Sequence, residues 1–169
     1  MDKEKELSAA CGLFCGACAI YIATQENDVA RLTRQSEFLG LTIEETKCNG
    51  CRSSRLNLNC TSCKMLSCTN DKEIDFCIEC SEYPCEEIKL FQSKYPHRIE
   101  LWSDLEKIKS IGYLAWFKEK EEHYRCKNCN TINSGWDLRC RKCDFEPSSN
   151  YVEQNIVEIH RRLNQEDDA

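Results

Sequence analysis

Apolar positions recur along most of this chain at helical rather than alternating spacing. From about Ala17 to Glu37, residues Ala19, Ile22, Ala23, Val29 and Ala30 fall near one stripe, with charged residues opposite. Ile88, Phe91 and Tyr95 follow Pro84 at i, i+3 and i+7, which predicts a helix starting just after the proline. Leu101, Leu105 and Ile108 predict another, which Gly112 breaks or kinks before Leu114, Trp116 and Phe117. Near the end, Ser148, Ser149 and Asn150 offer caps for a helix whose Val152, Ile156, Ile159 and Leu163 make a narrow apolar stripe. These stripes are expected to pack as core, the last of them docking on the rest of the chain.

Composition changes that picture. Fifteen of the 169 residues are cysteine, about 9%, a density that marks a cross-linked or metal-rich scaffold. The 41% hydrophobic fraction falls to about 32% once cysteines are set aside, so the core is thin and covalent or metal staples are expected. The opening MDKEKELSAACG has no apolar run of a secretory leader, and no stretch reaches the roughly 18 apolar residues of a membrane span. A cytoplasmic location is therefore expected, where thiols stay reduced and free for metal. The odd cysteine count also argues against a complete disulfide framework.

The cysteines fall in two blocks. Eleven lie between Cys11 and Cys85, and four between Cys126 and Cys143. In the first block Cys51-x8-Cys60-x2-Cys63-x4-Cys68 is followed by Cys68-x8-Cys77-x2-Cys80-x4-Cys85, the same spacing displaced by 17 residues. This predicts two similar knuckle turns.

Two residues between cysteines let one tight turn aim both sulfurs at a single ion, and two such knuckles complete a tetrathiolate site. Cys126-x2-Cys129-x10-Cys140-x2-Cys143 has that form and predicts a structural zinc in a closed shell. The first block offers Cys48/Cys51, Cys60/Cys63 and Cys77/Cys80, the single residues Cys68 and Cys85, and the triplet Cys11, Cys15 and Cys18. Sequential pairing would give 48/51/60/63 and 68/77/80/85. Crossed pairing would join 60/63 with 77/80 and bring 48/51 against 15/18. Either way three or more zinc ions are expected in the whole chain. Thiolates suit iron–sulfur clusters as well, so one such cluster on Cys11, Cys15, Cys18 and a fourth ligand is the alternative, with redox or electron transfer as its function. The triplet has the spacing by which radical-SAM enzymes hold a cluster, but the chain is too short for their barrel.

The formal net charge is −6, yet residues 123–143 carry Arg125, Lys127, Arg139, Arg141 and Lys142 against Asp137, a local +4. These cations either offset the zinc–thiolate charge or meet an anionic partner such as RNA, with Trp136 or Tyr124 stacking on bases. With Asn133 between the knuckles, this segment resembles the RanBP2-type zinc finger, whose members bind single-stranded RNA or ubiquitin; Tyr124 stands where that class has tryptophan.

The chain more broadly resembles the cysteine-rich family called domain of unknown function 3795. The residues that carry this are CGLFCGAC with Tyr21, KCNGCR (47–52), CTSCKMLSC (60–68) and FCIECSEYPCEE (76–87), followed by a helical segment and the paired knuckles, over roughly residues 8–145. The resemblance implies metal binding through these cysteines and names no reaction.

The expected fold is a small metal-stabilised α+β protein, mostly helical. It would comprise a cysteine-rich domain at 8–122, a zinc-ribbon hairpin at 123–146 and a terminal helix at 147–169. The expected function is that of a structural or interaction module with a protein partner. No catalytic set emerges: His97, His123 and His160 all lie outside the knuckles, and neither a nucleophile elbow nor a phosphate-cradling loop is present.

Overall fold

The apolar stripes fold as helices, in a computed structural model that describes residues 3–164. These are α1 (Lys3–Leu7), α2 (Ala19–Glu26), α3 (Val29–Leu39), α4 (Ile43–Thr46), α5 (Lys64–Asp71), α6 (Glu86–Gln92), α7 (Leu101–Ile111), α8 (Tyr113–His123) and α9 (Asn150–Asn164). Short 3-10 turns lie at Cys15–Ala17, Leu58–Cys60, Cys77–Glu79 and Pro96–Arg98.

The helical run expected from 17 to 37 is two helices. Asn27 takes a left-handed conformation (φ 51°) and ends α2. Asp28 then accepts the Arg31 amide and starts α3. Asparagine visits that region cheaply, so apolar periodicity runs through the break without marking it. Gly112, at φ 80°, separates α7 from α8 as expected.

The α+β expectation is overturned: among the described residues there are nine α-helices and no strand. The predicted hairpin amounts to one isolated antiparallel bridge, Arg125 with Ile132. Its segments are too short to ladder, because the knuckle turns take most of their backbone groups. The Cys126 amide donates to Thr131 O and the Cys140 amide to Phe145 O, each at 2.9 Å.

The core forms where α7, α8 and α9 meet the cysteine-rich start of the chain. Trp116, Leu101, Leu105, Tyr151, Val152 and Ile159 are fully buried. Phe14, inside the cysteine triplet, sets its ring edge-on against Phe117 (5.1 Å) and Trp116 (6.3 Å). Burying aromatic area this way fixes Cys11 and Cys15 against the helical hairpin. Gly12 (φ 84°) makes the approach fit, since a Cβ there would lie 2.7 Å from the Leu105 side chain.

The buried core cluster draws Phe14 and Trp116 from segment 8–122, Tyr124 from 123–146 and Tyr151 from 147–164. Helix α9 docks as expected: Arg162 donates to Gln92 O and Tyr95 O, both at 2.9 Å, and Ser149 caps its start. One buried ionic group ties α7, α8 and α9 together. The Lys120 ammonium, almost fully enclosed, lies 2.6 Å from Glu100 and 2.8 Å from Asp104. His123 and Asn155 also reach Glu100, at 2.9 and 2.6 Å, and the Trp116 indole donates to Asp104. Burial pushes the Glu100 carboxyl up, but His123 and Lys120 outweigh it and hold it down at about 2. Burial also pushes Asp104 up, and there Lys120 does not overcome it.

Candidate metal centre

Two near-identical turns build the C-terminal site. In the first, Asn130 adopts a left-handed conformation (φ 61°) and returns its amide to Cys126 O. In the second, Asp144 does the same (φ 58°) toward Cys140 O. Asparagine and aspartate tolerate this region, which is why they follow the second cysteine of each knuckle. The result brings Cys126, Cys129, Cys140 and Cys143 together with all four sulfurs within 4.8 Å of one another. The Cys126–Cys143 and Cys129–Cys140 sulfur distances are 3.6 and 3.5 Å. Four bonds of about 2.3 Å to a tetrahedral ion place sulfurs roughly 3.8 Å apart, so the cage has the size of a single ion.

The amides prepare these sulfurs for charge. The Asn128 amide points at Cys126 Sγ (3.4 Å), although burial still pushes this thiol up to about 11. The Thr131 hydroxyl, 3.3 Å from Cys129 Sγ, and the Thr131 amide bring that thiol down to about 6. Burial raises Cys140, but the Lys142 and Cys143 amides lower it further. Asn133, fully buried, clamps the two knuckles: its amide donates to Thr131 O and Ser148 O, and its carbonyl accepts the Arg141 amide, all at 3.0 Å. Arg31 holds the loop between the knuckles against α3, pairing with both Asp137 oxygens at 2.8 and 2.9 Å and with Ser134.

The five ribbon cations are engaged by carboxylates of the same chain. Arg125 pairs with Glu122, Lys127 with Glu153, Arg139 with Asp144 and Glu146, and Arg141 with both oxygens of Glu26, near which Lys142 also lies. Tyr124 is buried and stacks on Tyr151 at 4.6 Å, so its face is occupied. Trp136 donates its indole N–H to His97 Nδ1. Burial, with Arg98 and Arg162 nearby, holds the His97 imidazole down at about 3, which keeps it a neutral acceptor. His123 is taken up by Glu100, and His160 is exposed.

The N-terminal cysteines come from several stretches of chain, and among the described residues the close group of sulfurs is the C-terminal one. Cys11 and Cys48 are buried, Cys15, Cys51, Cys63, Cys77 and Cys80 half-buried, and Cys18, Cys60, Cys68 and Cys85 exposed. Cys48 has Cys18 and Cys60 as charge neighbours, and Cys51 has Cys11 and Cys15. The 48/51 knuckle thus packs against the triplet, as in the crossed scheme. Cys77 keeps Cys85, Cys68 and Cys80 as neighbours, as in the sequential one, and also Cys63. Burial, reinforced by neighbouring thiols, pushes Cys11 and Cys15 well above the usual thiol range and Cys60 and Cys77 up to about 12. Cys80 goes the other way, lowered by the Glu82 amide and by the Lys72 ammonium 3.2 Å from its sulfur. Nothing in the sequence marks Lys72 for this role. The 17-residue repeat is only partly a structural one: α5 starts directly after Cys63, whereas Pro84 delays α6 until after Cys85.

Fold and site together describe a helical, cysteine-rich chain with a group of four cysteines that could hold a metal ion. Residues 7–90, about half of the chain, match the family model described as "Protein of unknown function (DUF3795)", which supports the family resemblance over that segment. The match ends before the C-terminal knuckles. Searches of curated proteins and of solved structures returned no match. No helix among the described residues is long and apolar enough to cross a membrane.

Proposed function

We propose that this chain is a metal-stabilised interaction module in which Cys126, Cys129, Cys140 and Cys143 hold a structural zinc ion. The observation that carries the reading is the 3.5–3.6 Å sulfur spacing in a cage of four thiols. Four thiolates close the shell of a tetrahedral ion and leave no position for a substrate, so the metal serves the fold rather than a reaction. The energy involved is large: structural zinc peptides gain on the order of 10–16 kcal/mol from the ion.

The partner is a protein rather than RNA. Every ribbon cation already faces a carboxylate, and Tyr124 has no free face, which supports this choice. Exposed apolar side chains such as Leu90 and Val157 supply contact area on the helical body.

Elemental analysis of anaerobically purified protein tests the zinc reading. Wild type is expected to carry zinc that the Cys126→Ser/Cys140→Ser variant loses. Wild-type protein without zinc would overturn it. Salt-sensitive binding of single-stranded RNA that disappears in Arg139→Glu/Arg141→Glu/Lys142→Glu would overturn the choice of partner.

A further inference from the structure

Helices α5 and α6 and the turn that follows α6 border an open cleft of about 220 Å³. Its floor is apolar: Met65 is buried, Phe91 half-buried, and Leu90 stands exposed at the rim. Around that floor Lys64, Lys94 and Arg98 face one carboxylate, Glu87, a local +2 in a chain whose formal net charge is −6. Lys64 closes on Glu87 at 2.7 Å, from one helix to the other. Among the described residues no carboxylate lies within ion-pair distance of Lys94 or Arg98. The ribbon cations, by contrast, already have theirs.

Arg98 is held ready for a ligand. Its guanidinium carbon lies 3.5 Å from the Phe91 ring centroid and 4.6 Å from that of Tyr95, and Nη1 donates to Phe91 O at 2.7 Å. Helix α9 fixes the turn beneath it, because Arg162 donates to Gln92 O and Tyr95 O. The Gln92 side chain in turn donates to Arg98 O at 3.3 Å. A guanidinium presents five N–H groups in a rigid fork, so the bond to Phe91 O leaves donors for a carboxylate. A side chain already fixed loses little freedom on binding.

Size and surface select the occupant. Sites for whole small molecules run to roughly 300–1,000 Å³. This cleft is smaller and suits one apolar side chain. A stacking base would need an open ring, whereas Phe91 is covered by Arg98 and packed against the core. A peptide with one aliphatic or aromatic residue between carboxylates matches the apolar floor, the Arg98 fork and the Lys94 ammonium together.

We propose that the α5–α6 cleft docks an acidic segment of a partner protein, seating one apolar side chain over Met65 and Phe91 and the flanking carboxylates on Arg98 and Lys94. This rests on the reading of the chain as an interaction module and states where, and by what chemistry, the partner binds.

The experiment uses full-length protein purified without oxygen and the fluorescent peptide Gly-Asp-Glu-Leu-Glu-Asp-Gly. The comparison probes are the same peptide with alanine at its centre, the same with lysine for every acid, and a single-stranded uridine oligonucleotide. Anisotropy is expected to show the leucine peptide binding and weakening with salt, and the two altered peptides binding at least about tenfold more weakly. Lys94→Glu and Leu90→Asp, both at exposed positions, should each weaken the leucine peptide about tenfold or more, with near-UV circular dichroism and zinc content unchanged. Arg98→Lys should weaken it as well, since lysine keeps the charge but not the fork. No binding of the leucine peptide, equal binding of the alanine peptide, or binding that survives both Lys94→Glu and Leu90→Asp overturns the cleft and leaves the ribbon zinc standing. Tighter binding of the oligonucleotide that Lys94→Glu abolishes overturns the choice of a protein partner too. Zinc measured in the same samples separates either failure from that of the metal reading.

Discussion

Asn133 shows how much one side chain can determine at the metal cage. It joins the Cys126 amide on Thr131 O and is the partner of Ser148 O and of the Arg141 amide. Asn133→Ala is expected to cost about 2–4 kcal/mol, since each orphaned group costs roughly 1–3 kcal/mol. It should also speed zinc loss to a chelator, measured by stopped-flow with a metallochromic dye. Glu100 gives a pH-dependent counterpart. Its folded value of about 2 lies below the unfolded carboxylate value of about 4.3, so its contribution is present at neutral pH and lost as pH falls from about 5 toward 2. Asp104, raised by burial, works with the opposite sign, so the comparison must be wild type against Glu100→Gln. The variant should be less stable by about 1–3 kcal/mol at pH 7, with the gap closing toward pH 2 in denaturant titrations. Asn133 stands out in the sequence only by its place between the knuckles, and the role of Glu100 is not legible at all. Charged residues on amphipathic helices read as solvent-facing, and only the packing of α9 over α7 and α8 encloses Lys120 and Glu100.

At the scale of elements, the apolar stripes of α7, α8 and α9 were readable, α1, α4 and α5 were not, and the expected hairpin did not form. Apolar residues at 3.6-residue spacing have one way to bury a common face, so α7, α8 and α9 follow from Leu101, Trp116 and Val152 with their neighbours. Knuckle turns have no such periodicity. Their backbone groups go to the turn itself and to Asn133, leaving a single bridge where strands were expected. The docking of α9 makes a paired prediction. Ile159→Ala, at a fully buried position, should cost about 2–5 kcal/mol, whereas Val157→Lys, 82% exposed on the same helix, should stay within about 0.5 kcal/mol. Thermal melts of the two variants check both. Equal losses would mean α9 is not held by its apolar stripe.

For the whole molecule, cysteine spacing foretold the four-sulfur group at 126–143 but not how the N-terminal cysteines are arranged. The 126–143 set closes locally, within 18 residues, and sequence order equals spatial order. In the first block it does not: Cys48 lies beside Cys18 because α2 carries both its N-cap sulfur and the Thr24 that anchors the Cys48 amide. Long-range anchors of this kind leave no trace in spacing. They also mean that a metal bound through Cys11 or Cys15 would hold the same segment as the core, since Phe14 packs into the α7–α8 hairpin between them. Metal removal should therefore loosen the helical body as well as the ribbon. The most direct measurement is thermal unfolding of the full chain, monitored by near-UV circular dichroism, before and after exhaustive chelation with every thiol kept reduced. The loaded protein should melt cooperatively and the stripped protein should show no cooperative transition, regaining one when metal is restored. A stripped, reduced chain that stays compact and melts in the same sharp transition would contradict the claim that metal–sulfur bonds hold this fold.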